Sequence, residues 1–138
     1  MSADNKALAR RWFEEVWNKG RVDAIDEMFA TDGRAFGLGD QPLVGPAEFK
    51  PFHATYRQAF PDMQIHIDEV IAEGDIVAMR WTASGTHRGN LMGLVATGRP
   101  SRFEGMSFLR MRDGKIVEGR NVFDQLGMLK QLGVTSIV

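Results

Sequence analysis

Arg102–Phe123 reads RFEGMSFLRMRDGKIVEGRNVF, and this stretch decides the fold. Asp113-Gly114 separates two runs of alternating apolar and polar residues, the strongest short-range signal for a β-hairpin with a two-residue turn. Such a turn pairs Arg112 with Lys115 and, further along, Met106 with Asn121. One face then holds Met106, Phe108, Asn121 and Phe123. The other holds Phe103, Leu109, Met111, Ile116 and Val122, together with Glu118 and Asp124. A sheet open to water on one side has one polar face. Here both faces carry large apolar side chains, so one is expected to pack on helices and the other on a second copy of the chain, as a homodimer or homotetramer.

Upstream of the hairpin the period-two pattern continues. Met63, Ile65, Ile67 and Ile71 alternate with Gln64, His66 and Asp68. Glu73-Gly74-Asp75 is a turn, Ile76–Thr86 a second strand, and Gly85–Pro100 a Gly-rich loop or irregular strand pair. Before residue 63 the period is helical. Ala9, Trp12, Phe13, Val16 and Trp17 recur at i, i+3, i+4, i+7 and i+8, and Gly20 suits the left-handed residue that ends a helix. A short helix over Val22–Phe29 would bury Val22, Ile25, Met28 and Phe29. Asp32-Gly33 reads as a turn before a short strand at Arg34–Leu38. Phe49, Phe52, His53, Tyr56 and Phe60 share one helical face, with Pro51 placing the regular start near Lys50. Leu126, Leu129 and Leu132 mark a closing helix ended by Gly133. Helices first, then strands, then a short helix make an α+β fold, an antiparallel sheet packed on N-terminal helices. Residues 1–138 read as one domain.

Composition narrows the chemistry. The chain has 138 residues, 43% hydrophobic and 25% charged, with a formal net charge of -1, and it lacks the clustered basic surface that nucleic acid requires. It has no cysteine, which excludes disulfides, thiolate metal sites and cysteine nucleophiles and reads as cytoplasmic. No apolar run is long enough for a membrane span. The sequence has no H-E-x-x-H, dinucleotide or phosphate-loop motif and no Gly-x-Ser-x-Gly elbow, so no metal and no cofactor is expected. Of the three histidines, His66 lies on the polar parity of its strand. His53 and His87 lie on apolar parities, where a structural role and a pocket role are both open. Eight Met, nine Phe and three Trp against one Tyr supply more large soft side chains than a core needs, enough to line a pocket.

Several short motifs carry a family resemblance in their order and spacing. They are Ala59-Phe60-Pro61-Asp62-Met63, Glu73-Gly74-Asp75-Ile76-Val77-Ala78-Met79-Arg80-Trp81, Gly85-Thr86-His87 and Ala96-Thr97-Gly98. Asp113-Gly114-Lys115-Ile116-Val117-Glu118 and Asp124–Gly133 (DQLGMLKQLG) complete the set. Together they resemble the SnoaL-like polyketide cyclases, or ester cyclases, across nearly the whole chain. The resemblance implies a nuclear-transport-factor-2-like cone, a curved sheet wrapped on helices around an internal pocket. It implies cofactor-independent proton-transfer chemistry on a small, largely apolar carbonyl compound, such as intramolecular aldol cyclisation. The founding cyclases carry a catalytic Asp in the last strand, in a stretch resembling Glu-His-Trp-Asp; this chain has Glu118-Gly119-Arg120-Asn121. Asn121 thus stands where the acid/base is expected and can only hydrogen-bond an enolate or carbonyl oxygen. Asp124 and His87 are the remaining candidate proton carriers, with helix capping the other role open to Asp124. Glu118 is expected to form a structural ion pair with Arg80. Expected ligand contacts are Trp12, Phe13, Trp17, His53, Tyr56, Trp81, Met106, Phe108 and Phe123. The same pocket could instead serve a non-catalytic ligand-binding module or a diverged hydroxylase or isomerase.

Overall fold

A computed structural model describes residues 2–135. Helix α1 (Ser2–Arg11) runs directly into a π-helical segment, Trp12–Asn18, and is followed by α2 (Asp23–Met28). Strands β1 (Phe29–Phe36) and β2 (Leu43–Val44) precede α3 (Gly45–Ala59). Four long strands follow, β3 (Gln64–Glu73), β4 (Ile76–Thr86), β5 (Pro100–Arg112) and β6 (Lys115–Phe123), and α4 (Gln125–Gln131) closes the order. The six strands form one sheet in the order β2-β1-β6-β5-β4-β3. All neighbours are antiparallel except β1 and β6, which run parallel.

The pairing of β1 with β6 shifts between Phe29 and Arg34, and two bulges curve the antiparallel part of the sheet, one between Ile67 and Glu69 in β3 and one where β6 passes Arg110 and Met111 of β5. An extra residue on one strand bends it and increases its twist. The second bulge also resets the register. Arg112 faces Lys115 and Met111 faces Ile116, but Arg110 already faces Glu118, so Val117 is the extra residue. Beyond it Ser107 pairs with Asn121 and Met106 with Val122. The uninterrupted hairpin expected from the sequence is therefore one residue out of step over its far half. A one-residue slip moves every side chain to the opposite face. Asn121 and Phe123 join Phe103, Leu109 and Met111 on the concave side, while Met106, Phe108 and Val122 point outward at 54%, 59% and 68% exposure.

Other expectations shift for local reasons. β1 continues through Asp32-Gly33 instead of turning there, and Arg112 holds the Asp32 carboxylate at 3.1 Å on its outer edge. Helix α3 starts at Gly45, with Val44 N–H donating to Glu48 at 2.8 Å, and carries Pro51 on its exposed side, where the missing hydrogen bond faces water. Val22 is exposed rather than buried. Glu118 pairs with Arg120 at 3.4 Å, and Arg80 instead meets Glu69 at 2.9 Å.

The π-helical segment has i→i+5 bonding, as in Lys19 N–H to Glu14 O at 2.9 Å, and so winds more widely than an α-helix. Its width lets Trp12, Phe13, Val16 and Trp17 all turn inward. Its last carbonyls, freed from helical bonding, are taken by α3: His53 Nε2 donates to Val16 O at 2.6 Å and Arg57 Nη1 to Trp17 O at 2.9 Å. The Asn18 side chain accepts from Ile65 N–H at 2.6 Å and donates to Ile65 O at 3.0 Å, as a pairing strand would. Gln131 of α4 does the same to Arg102 of β5, accepting from its N–H at 2.6 Å and donating to its carbonyl at 2.7 Å.

Candidate functional site

A cavity of ≈ 80 Å³ lies between the concave face and the helices. The π-helical segment supplies Trp12, Phe13 and Trp17; α3 supplies Phe49, Phe52 and Tyr56; β4 supplies Trp81 and Ala83. From β5 come Phe103, Ser107 and Leu109, and from β6 Ile116, Gly119, Asn121 and Phe123. Leu38, Phe52, Asn121 and Phe123 are half-buried and mark the mouth; most of the other lining residues are buried. The volume is below the roughly 300–1,000 Å³ of pockets that enclose a drug-sized ligand. A larger ligand would place its reacting end inside and the remainder through the mouth.

The polar content of this apolar space is one hydrogen-bonded chain. Trp81 Nε1 donates to Ser107 Oγ at 3.0 Å, and Ser107 Oγ donates to Asn121 Oδ1 at 2.7 Å. Asn121 Nδ2 donates to the Phe36 carbonyl at 3.0 Å, which uses one of its two N–H bonds; the second has no protein acceptor among the described residues. Gly37 makes this approach possible. Its φ is +85°, and a Cβ there would overlap the Asn121 carbonyl. Tyr56 adds a phenol near the mouth whose pKa burial pushes up, partly offset by a hydrogen bond with the Gln125 side chain.

Trp12, Phe13, Trp17, Tyr56, Trp81, Asn121 and Phe123 thus line the cavity as the sequence led us to expect. Five other expected residues do not. Met106 and Phe108 lie on the outer face, the even parity of an unbroken β5, while the β6 bulge turns Asn121 and Phe123 inward, away from the face they were expected to share with them. His53 gives its Nε2–H to the Val16 carbonyl and packs against Trp17; burial lowers its pKa, the Val16 bond offsets part of this, and Arg57 opposes protonation further. His87 sits under the 87–99 loop, where its Nδ1 accepts from Thr97 N–H at 3.1 Å. Its ring packs on Phe60 rather than on the cavity. Asp124 is exposed and caps α4, accepting from Gly127 N–H at 2.8 Å. No carboxylate and no imidazole is among the described residues that line the cavity. Nor is there a cluster of three His, Asp or Glu placed to hold a metal among the described residues. No helix of the described residues is long and apolar enough to cross a membrane.

Ser107 escaped the sequence reading. Its signal was present: it is a hydroxyl on the parity of Phe103, Leu109 and Met111, and a polar residue on an apolar stripe needs a partner.

A curved sheet wrapped on helices, around an apolar cavity with a mouth and a short polar chain inside, is the architecture of the described residues. The model of the SnoaL-like polyketide cyclases matches residues 7–132, and the chain belongs to that family. It is 35% identical to the aklanonic acid methyl ester cyclase DnrD of Streptomyces peucetius over 91% of this chain and 88% of the relative. Among solved structures, AclR of Streptomyces galilaeus, described as a candidate hydroxylase, superposes with a TM-score of 0.86 at 30% identity, covering 100% of this chain and 90% of that one. A SnoaL-like protein from Jannaschia sp. CCS1 shares the fold with a TM-score of 0.89 at 22% identity, over 98% of this chain and 95% of that one.

Proposed function

We propose that the chain binds a neutral, largely apolar carbonyl compound in this cavity and promotes cyclase-type carbon–carbon bond formation by stabilising an enolate or carbonyl oxygen. The observation that carries this reading is the second Asn121 N–H, next to Ser107 at the mouth of an apolar cavity. A donor aimed at developing negative charge is worth far more there than in water. A carbon flanked by carbonyls loses its proton to solvent or to a basic group of the substrate. The enolate carbon then attacks a second carbonyl carbon, whose oxygen takes up the negative charge and afterwards a proton. The protein's part is to hold the chain folded and to donate to the charged oxygen, and positioning alone contributes several kcal/mol.

Incubation with aklanonic acid methyl ester, followed by chromatography and mass spectrometry, tests this. A cyclised product of unchanged mass is expected. Asn121→Ala should slow its formation by roughly 10²–10³-fold. Recovery of bound but unaltered ester would favour a ligand-binding module, a reading supported by the lining without carboxylate or imidazole. A product heavier by one oxygen atom would favour the hydroxylase reading, which rests on the likeness to AclR.

We further propose a homodimer through the outer sheet face. Ile71, Met106, Phe108 and Val122 lie there, each more than half exposed; Met106 on β5 pairs with Val122 on β6, and Ile71 on β3 aligns with Phe108 across Ala78 of β4. Arg80, which meets Asp68, Glu69 and Glu104, lies beside Met106, Arg120 lies beside Phe108, and Arg110 lies farther along β5. Isologous pairing would bury the apolar band between such mixed charges. Light scattering at micromolar concentration should give twice the chain mass, and Met106→Glu with Phe108→Glu should give the single chain. A single-chain mass for the unaltered protein would sink the proposal.

A further inference from the structure

We infer that Trp81 and Ser107 are positioning residues that fix the direction in which Asn121 offers its N–H. This rests on the reading of Asn121 as the donor to the reacting oxygen. The geometry is over-determined from both ends. The indole Nε1–H can only donate, so at 3.0 Å it must use a lone pair of Ser107 Oγ. The Ser107 hydrogen is thereby directed to its other neighbour, Asn121 Oδ1, at 2.7 Å. At the far end the Phe36 carbonyl can only accept, so the group 3.0 Å away must be the Asn121 amide nitrogen. A flipped amide would set oxygen against the Phe36 carbonyl oxygen and lose that bond, and it would leave Ser107 accepting from both neighbours with its own buried O–H deprived of the Asn121 oxygen.

The backbone supports the first link. Trp81 faces Gly105 across the β4–β5 ladder, and a Cβ at Gly105 would overlap the six-membered part of the indole. The missing side chain lets the ring lie over β5 and bring Nε1 to Ser107, two residues along the same strand face. Trp81 and Ser107 are both buried, so water does not compete for these donors. The arrangement converts a side-chain amide, which by itself has two nearly equivalent orientations, into a donor of defined direction.

The test has two arms on the full-length protein. In the first, ¹⁵N-labelled protein without ligand is followed by NMR. Ser107→Ala should shift the Trp81 indole signal, assigned through Trp81→Phe, and both side-chain amide signals of Asn121. Unmoved Asn121 amide signals in both Ser107→Ala and Trp81→Phe overturn the inference whatever the activity. In the second arm, turnover of aklanonic acid methyl ester is compared. Ser107→Ala should lower kcat about tenfold with KM within about twofold, and Ser107→Thr should recover most of the loss. On an Asn121→Ala background, Ser107→Ala should cost nothing further, because the two act as one unit. Additive losses, or a loss confined to KM, overturn the positioning role while leaving Asn121 as donor intact. Full turnover by Asn121→Ala refutes the donor reading and, with it, the role of Ser107 in catalysis.

Discussion

Replacing Asn121 by Asp exchanges one N–H donor group for an oxygen, and the structure sets the consequence. The new oxygen would stand where Nδ2 now lies, 3.0 Å from the Phe36 carbonyl, acceptor against acceptor. Ionised, the side chain keeps its bond from Ser107 but leaves the Phe36 carbonyl without that donor, at a cost of about 1–3 kcal/mol. Protonated, it donates its O–H to Phe36 and still accepts from Ser107, so little is lost. The folded state therefore prefers the neutral acid, and the apolar lining works in the same direction by penalising charge. The carboxyl's folded pKa is raised above its unfolded value of about 3.9. The sign follows: native stability is complete below the unfolded value and declines as pH rises toward the folded one. Urea denaturation of the variant and the parent protein at pH values between about 4 and about 8 measures this. The stability deficit of the variant should grow over that window by about 1–3 kcal/mol. A deficit independent of pH would refute the oriented amide. The same variant would give the cavity a carboxyl moved toward neutrality, the property a general acid/base needs.

Three further outcomes follow from residues outside the cavity. Asp124→Ala removes the cap of α4 and should cost about 1 kcal/mol by denaturation, while turnover stays unchanged and Asp124→Asn restores the stability. Gly37→Ala combines a left-handed backbone with a steric overlap on the Asn121 carbonyl, and should lower stability by at least about 2 kcal/mol. His53 has its pKa lowered by burial, so the unfolded chain takes up a proton near pH about 6.5 that the folded chain refuses. Stability should therefore fall as pH drops below about 6.5, by up to about 1.4 kcal/mol per pH unit, until the lowered pKa is reached. His53→Gln, which keeps a donor for Val16, should flatten that slope in thermal melts.

What could be read from the sequence was what local chemistry encodes. Asp113-Gly114 announces the hairpin, the 12-13-16-17 spacing announces an inward aromatic face, and both are present. The aromatic half of the cavity followed from those patterns. The far half of the hairpin did not, because the bulge at Val117 is set by how β6 meets β1 and β5 together. Alternation alone gives no sign of a single inserted residue. Met106 and Phe108 were grouped with Asn121 and Phe123 for that reason. His53 is a different case. Its partner, the Val16 carbonyl, becomes free only because the preceding helix widens, a contact 37 residues away in the chain. Asp124 lies within the strand-to-helix junction, where a short acid satisfies the first turn of the helix more readily than it reaches inward.

The side-chain amides of Asn18 and Gln131 have a consequence for how the molecule meets others. Each occupies backbone groups that an incoming strand would need, Ile65 on β3 at one edge of the sheet and Arg102 beyond the end of β6. The opposite edge is β2, only two residues long. A neighbouring chain finds little ladder to extend at these places, so the protein is guarded against open-ended, strand-by-strand growth. The proposed isologous contact through the broad outer face would close on itself after two copies. The sheet can thus leave an apolar surface in water without becoming a seed for fibres.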